Sequence, residues 1–271
     1  MTGPSAYFVP TGPGRYRPTA HTAGAWSETE QHISPLGGLV VHAIEEHVAA
    51  SGPGDGRSGG TGDGKVIARL SLDILGVVAI EEFEIAVRTV RPGRTIELVE
   101  ALVTCAGRSV VLARAWRLAG GDTSSVAGGA PTPIPPPGEL PCWPMTSVWP
   151  GGYIASLDVR RNADARPGRA VAWVSSRLAL VDGVAVSPLA SFVALVDTAN
   201  GICVREPIDA WLFPNVDLTL HLHRQPVAGP VGLDTTVVFG ADGHGLTETV
   251  LHDARGPVGR AAQLLTVRPR R

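Results

Sequence analysis

The sequence predicts an α+β protein built from two similar units, each an antiparallel sheet wrapped around a central helix. Two apolar, helix-like segments begin with the same three residues, Ser-Pro-Leu, at 34–36 and again at 187–189. Each segment follows two short strand-like stretches and precedes four alternating ones. Consecutive alternating stretches joined by tight turns are typical of antiparallel sheets. The repeated order therefore predicts a duplicated unit with one long helix per sheet.

The first unit is expected to contain one helix and six strands. Two short strands are expected near 7–9 and 15–21, and the helix follows at 35–50, where apolar residues recur at helical spacing. A loop rich in Gly, Ser and Asp is expected at 51–64. The four longer strands alternate polar and apolar residues, at 66–75, 80–90, 95–105 and 109–118.

The second unit follows a stretch rich in Pro, Gly, Ser and Thr at 119–141, which suits neither a strand nor a helix interior. Its expected order repeats the first: strands at 153–159 and 169–178, a helix at 188–200, then strands at 215–223, 231–239, 245–251 and 258–267. The predicted domains are therefore 1–118 and 151–271, joined by a linker at 119–150.

Composition excludes several classes of protein. The 271 residues carry a formal net charge of −2, so no global basic surface favours nucleic acid. No apolar run approaches the roughly 20 residues of a membrane span, and the N-terminus lacks a signal-peptide pattern. The three cysteines are widely spaced and form no CxxC pair. We therefore expect neither a zinc site nor a disulfide framework, and a cytoplasmic protein.

Four short motifs carry a resemblance to a known family. They are Asp197 in ALVDTAN, the segment NVDLTLHLHR at 215–224, Gln263 in GRAAQLLTV, and Gly37-Gly38 near the start of the first helix. Together they resemble the acyl-CoA thioesterase II (TesB-like) family, whose members have a double hot-dog fold. The segment at 215–224 keeps the family's Asp and terminal His-Arg, but Asn215 stands where the family has Thr.

The resemblance implies a double hot-dog protein that hydrolyses an acyl-CoA thioester to a free fatty acid and CoA, without metal or other cofactor. Such hydrolysis needs a positioned water, a proton acceptor and donors for the developing oxyanion. Asp197 would orient or deprotonate the water, and the amides of Asn215 and Gln263 would hold it. Gly37 and Gly38 would let the thioester carbonyl approach free amides at a helix start.

Each of these residues also has a structural interpretation. Asp197 would then be exposed or capping a neighbour, Asn215 a turn residue, and Gln263 the partner of a buried backbone group. Gly37 and Gly38 would only permit tight helix packing. His221 and His223 share one strand face, but no third metal ligand is evident, so packing is the favoured interpretation.

Two other functions remain open. A non-catalytic acyl-CoA or lipid-binding protein would explain Asn215, which replaces the family's hydroxyl. A hot-dog dehydratase or hydratase would need a histidine and an acid in one site, so His32 beside Asp197 would favour it. The expected partner is acyl-CoA, with neither nucleic acid nor a membrane, and a homo-oligomer is possible. Arginines would bind the CoA phosphates, and the candidates are Arg88, Arg91, Arg94 and Arg224.

Overall fold

The protein is described by a computed structural model at residues 5–51 and 63–271. Most of the predicted loop at 51–64 lies outside the described residues. The helices are α1 Ile33–Ser51, α2 Gly152–Ala155, α3 Pro188–Val196 and α4 Ala199–Ile202. The strands are β1 Ala6–Gly12, β2 Arg15–Pro18, β3 Lys65–Ile74, β4 Phe83–Arg91, β5 Ile96–Cys105, β6 Arg108–Ala119, β7 Leu157–Arg161, β8 Arg169–Ser176, β9 Ala179–Val181, β10 Trp211–Leu212, β11 Asp217–Leu222, β12 Val231–Phe239, β13 His244–Asp253, β14 Gly256–Thr266 and β15 Arg268–Pro269.

One continuous sheet contains thirteen of these strands, in the order β7-β8-β12-β13-β14-β11-β3-β6-β5-β4-β2-β1-β9. The expectation of two separate curved sheets is therefore wrong. The two halves join where β11 pairs antiparallel with β3, from Asp217 opposite Asp73 to His221 opposite Arg69. This pairing satisfies two edges that would otherwise expose a row of unpaired backbone groups. At the far end, β9 of the second half pairs parallel with β1 of the first.

The two long helices pack against strands of their own half and against each other. They run antiparallel, because Gly38 near the start of α1 lies against Ala190 and Ala194 of α3, whereas Glu45, further along α1, accepts a hydrogen bond from Ser187 at the start of α3. Their apolar faces are buried with the inner face of the sheet in one core. The start of α1 consequently meets the end of α3.

Two predicted boundaries need correction. The strand expected at 153–159 begins only at Leu157, because the short helix α2 precedes it. The hydroxyl of Tyr153 in α2 is buried between the Ala194 carbonyl, at 3.0 Å, and the Thr198 hydroxyl, at 2.9 Å. The helix expected at 188–200 ends at Val196, with Asp197 as its C-cap, and α4 follows after a break at Thr198.

The Pro-rich stretch contains short 3₁₀ turns and no strand, as its composition predicts. It is held to the second half where the Trp173 indole donates to the Pro135 carbonyl at 2.8 Å. Since the sheet continues across both halves, the division into domains 1–118 and 151–271 stays a prediction. Among the described helices, none is long and apolar enough to cross a membrane.

Candidate functional site

Asp197 lies where the end of α3 meets the start of α1, and its side chain is only 5% exposed. Two side-chain amides donate to the same carboxylate oxygen, Oδ1: Asn215 Nδ2 and Gln263 Nε2, each at 2.8 Å. Asn215 Nδ2 also lies 3.0 Å from the Asp217 carbonyl. The structure thus brings together the three residues that the sequence assigned to catalysis; their catalytic role stays a prediction.

The sheet explains why two residues distant in sequence reach one carboxylate. Gln263 belongs to β14, and Asn215, just before β11, forms an isolated antiparallel bridge to Leu265 of the same strand. β11 and β14 are adjacent in the sheet. Both amides therefore approach Asp197 from one small region of the sheet. Strand pairing fixes the backbone of Gln263 in β14, and the bridge to Leu265 fixes the backbone of Asn215.

His32 is the fourth polar residue of this cluster. Its Nδ1 lies 3.6 Å from Asp197 Oδ2, and the Ser34 backbone amide donates to the same nitrogen at 3.1 Å. Burial lowers the pKa of His32 to about 3, so the ring is neutral near pH 7. Because Nδ1 accepts a backbone hydrogen bond, the proton of the neutral ring belongs on Nε2. The ring also stacks on Tyr153, with centroids 4.3 Å apart.

Burial also controls the charge of Asp197. It raises the pKa of the carboxyl to about 7, although the hydrogen bonds from Asn215 and Gln263 act in the opposite direction. The nearby charge of Asp217 adds to the rise. Asp197 is therefore protonated in part of the molecules near neutral pH. The other amide atom of Gln263, Oε1, is buried without a partner among the described residues and so remains an unused acceptor.

A cavity of about 1130 Å³ opens beside this cluster. His32, Asp197 and Asn215 form part of its wall. Gln263 does not line the cavity, but it donates a hydrogen bond to Asp197. This volume is slightly above the usual range for small-molecule sites, which is about 300–1,000 Å³. Much of the wall is apolar, and these residues include Trp26, Ile33, Ile74, Val77, Val78, Met145, Trp149, Ile154, Leu212 and Val216. A long apolar group therefore has room beside a carboxylate.

Gly37 and Gly38 are in the first helix, as predicted, but neither is among the residues that line the cavity. Since α1 begins at Ile33, their amides lie beyond the first helical turn, where regular helices use each amide in an i to i−4 bond. A Cβ on Gly38 would lie 2.5 Å from the Ala190 carbonyl oxygen. The contacts therefore support the helix-packing interpretation and oppose a role for free amides at these two positions.

The four arginines proposed for CoA phosphates are also absent from the cavity wall. Arg88 pairs with Glu100, and Arg224 forms two hydrogen bonds to Asp253 at 2.6 Å. Arg91 donates to the Ile96 carbonyl. The arginines that do line the cavity are Arg268, Arg270 and Arg271. In the sequence they form the short basic cluster RPRR, which begins five positions after Gln263.

No group of three or more His, Cys, Asp or Glu side chains suited to a metal ion occurs in the part of the chain that the structure describes. His221 lies on β11 opposite Arg69 of β3 and Arg260 of β14. The structure therefore assigns no metal ligands at this histidine.

Comparison with known proteins identifies the family. Residues 22–118 match the sequence model of the acyl-CoA thioesterase N-terminal domain, and residues 131–267 match that of the acyl-CoA thioesterase C-terminal domain. No curated protein sequence matches the chain significantly.

Solved structures agree on the fold. The acyl-CoA thioesterase II TesB2 of Mycobacterium marinum has a TM-score of 0.64 at 14% identity, covering 98% of this chain and 96% of its own. A proposed thioesterase II of Thermobifida fusca has a TM-score of 0.69 at 22% identity, covering 99% of both chains. A hot-dog protein of unknown function from Alicyclobacillus acidocaldarius has a TM-score of 0.70 at 16% identity, covering 97% of this chain and 96% of its own. With both halves matched by the family's two domains, the chain belongs to the acyl-CoA thioesterase family and has the hot-dog fold of its TesB-like thioesterase II members.

Proposed function

We propose that this protein hydrolyses an acyl-CoA thioester to a free fatty acid and CoA, with Asp197 as the residue that activates water. The observation that carries the proposal is the convergence of Asn215 and Gln263 on one oxygen of Asp197, at the wall of a largely apolar cavity. Family membership supports the reaction class, and the apolar wall supports an acyl substrate. A cytoplasmic location remains part of the proposal.

The hydrogen bonds give the two oxygens of Asp197 different roles. Both amides donate to Oδ1, so they orient the carboxylate and leave Oδ2 to accept a proton from water. Asn215 thus has an amide hydrogen where the family's threonine has a hydroxyl, and the amide makes a short bond to the carboxylate. The water is therefore positioned by Asp197, and Asn215 and Gln263 act as positioning residues for its carboxylate.

Donors for the thioester carbonyl are proposed at the start of α1. Ile33 lines the cavity, and its amide precedes the first i to i−4 bond of the helix. The helix dipole places partial positive charge at the same end. In the neutral tautomer of His32, the Nε2–H is a second donor. These groups would stabilise the oxygen that becomes negative when water adds to the carbonyl.

The test is thiol release from saturated acyl-CoA by purified protein, compared with Asp197→Asn and Gln263→Ala. Each variant is expected to lower kcat by about two orders of magnitude or more, because general-base catalysis contributes about 10²–10⁴-fold. Asp197→Asn keeps the shape and accepts the same two amide hydrogen bonds, so its loss of activity would not reflect unfolding. Normal thiol release from both variants would overturn the proposed roles.

A dehydratase or hydratase is the second candidate, and the position of His32 favours it. The ring lies 3.6 Å from Asp197 within one cavity, the arrangement that this chemistry requires. The two functions differ in product. Incubation with a 2-enoyl-CoA would release thiol if the protein is a hydrolase, whereas a hydratase would remove the enoyl absorbance without releasing thiol. A non-catalytic binding protein would bind acyl-CoA and do neither.

A further inference from the structure

We propose that Arg268, Arg270 and Arg271 form the binding site for the nucleotide phosphates of CoA, at one end of the catalytic cavity. This inference rests on the proposed acyl-CoA hydrolase function and names the part of the substrate that these residues recognise. All three residues line the cavity that contains His32 and Asp197, and all three are exposed. The cavity therefore combines an apolar wall, a buried carboxylate and a strongly basic border.

No carboxylate of the residues that the structure describes neutralises the charge of these arginines. Arg268 donates to the Thr266 hydroxyl at 2.9 Å, and Arg270 donates to the Ile208 carbonyl at 2.9 Å. Both acceptors are neutral, and none of the three arginines forms an ion pair with a carboxylate of the described residues. Arg88, Arg114, Arg169 and Arg224, by contrast, pair with acids. Besides Asp197, the cavity wall contains one other acidic residue among those described, Glu30.

The backbone holds this basic border at a defined place. Arg268 and Pro269 form β15, which pairs with Trp211 and Leu212 of β10. The Arg270 amide adds a further bond to the Ala210 carbonyl at 2.8 Å. This two-stranded ribbon continues from the pair of segments that carries Asn215 and Gln263, because Asn215 bridges to Leu265. The arginines are therefore attached to the same framework as the proposed catalytic residues.

The separation suits the shape of CoA. A fully extended chain from Gln263 to Arg268 would span at most about 16 Å, at roughly 3.3 Å per residue. An extended pantetheine arm separates the thioester sulfur from the phosphates of CoA by a comparable length. Guanidinium groups bind phosphate oxygens through paired N–H donors, and three of them match a ligand with a pyrophosphate and a 3′-phosphate. The thioester would then lie at Asp197 while the phosphates lie at the basic border.

The test uses a triple variant, Arg268→Gln, Arg270→Gln and Arg271→Gln, which keeps amide donors but removes the charge. Its matched control is Arg108→Gln, Arg166→Gln and Arg255→Gln, which removes the same charge from exposed positions outside the cavity wall. The first measurement is calorimetric binding of 3′,5′-ADP to the full chain. We expect the wild type and the control to bind, and the triple variant to bind at least about tenfold more weakly, because charge-assisted bonds are lost.

The second measurement compares one acyl group carried on CoA and on pantetheine. The triple variant should raise KM about tenfold or more for acyl-CoA, leave kcat unchanged, and leave KM for acyl-pantetheine unchanged. If neither substrate is hydrolysed, the proposed function fails, and 3′,5′-ADP binding still decides the site. The inference is overturned if 3′,5′-ADP does not bind to the wild type, or if the control weakens binding as much as the triple variant does.

Discussion

Asp197 is buried, and its pKa is raised to about 7, whereas an exposed aspartate has a pKa of about 3.9. A base with a pKa near the working pH combines a useful fraction of the charged form with adequate basicity. Activity that depends on the Asp197 carboxylate should therefore rise with pH through about 7. The neighbouring amides set the geometry of this carboxylate, and burial sets its proton affinity.

The raised pKa also predicts how stability depends on pH. Between about pH 4 and pH 7 the folded protein holds a proton on Asp197 that the unfolded chain releases, so the contribution of Asp197 to stability falls as pH rises through this range. The lowered pKa of His32 acts in the opposite direction, because the unfolded chain binds a proton there that the folded protein does not, so the comparison of the wild type with Asp197→Asn isolates the effect of Asp197. The shift corresponds to roughly 4 kcal/mol, at 1.36 kcal/mol per pKa unit. Asp197→Asn, which carries no charge to bury, should therefore unfold at higher urea concentration than the wild type at pH 8.

The control for this prediction is Asp242→Asn, in the exposed turn between β12 and β13. It should leave the pH dependence of unfolding unchanged. The raised pKa would be contradicted if the difference in urea midpoint between the wild type and Asp197→Asn were the same at pH 5 as at pH 8.

At the scale of the helices, α1 and α3 approach closely because Gly38 has no side chain. A Cβ at this position would lie 2.5 Å from the Ala190 carbonyl oxygen and 2.6 Å from the Ala194 Cβ. Both are parts of the α3 backbone or attached directly to it, so the helices would have to separate. Gly38→Ala should therefore lower the free energy of unfolding by about 1–3 kcal/mol, the usual cost of overpacking.

Gly37 provides a matched control in the same helix. A Cβ there would lie 3.5 Å from the Val193 Cγ1, an ordinary van der Waals contact. Gly37→Ala should leave stability unchanged or raise it by up to about 1 kcal/mol, because alanine favours the helix. Urea unfolding of both variants measures the difference, and an equal effect at the two positions would contradict the described helix contact.

The two Ser-Pro-Leu starts have different roles despite their identical sequence. Ser187 is the N-cap of α3, where its hydroxyl accepts from the Ala190 amide at 3.0 Å and donates to Glu45 at 2.9 Å. Ser34 lies inside α1, which begins one residue earlier. Ser187→Ala should therefore cost about 1–2 kcal/mol of unfolding free energy.

Two further variants test this asymmetry by thermal or urea unfolding. Ser187→Thr keeps an oxygen for the cap and should recover much of the loss. Ser34→Ala removes no helix cap and should cost less than Ser187→Ala. Equal losses at both serines would mean that the repeated motif acts in the same way in the two helices.

At the scale of the whole molecule, the pairing of β11 with β3 and the contact between α1 and α3 join the two halves into one core. Residues from both halves also meet in the site, since His32 directly precedes α1 and Asp197 is the C-cap of α3. We therefore expect one cooperative unfolding transition, with equal calorimetric and van't Hoff enthalpies.

Leu70→Ala tests this coupling at the junction of the halves, because Leu70 of β3 is buried opposite Leu220 of β11. The variant should lower stability by about 2–5 kcal/mol while keeping a single transition. A wild-type thermogram with two separate transitions would show instead that the halves unfold independently.

The sequence by itself predicted both long helices and most of the strands, because helix and strand periodicity is written locally in the order of polar and apolar residues. It also brought Asp197, Asn215 and Gln263 forward together, through short motifs shared with a family. It did not show that Gly37 and Gly38 pack against α3, because a motif does not show where a helix begins or which neighbour a glycine contacts.

Tertiary structure alone decided the features that depend on distant parts of the chain. The register between β11 and β3 turned two expected sheets into one, and strand pairing gives little local sign of its partner. The same packing placed His32 3.6 Å from Asp197 and the arginines of 268–271 on the cavity wall. It also buried Asp197 deeply enough to raise its pKa, since desolvation depends on everything that surrounds a group and not on its neighbours in sequence.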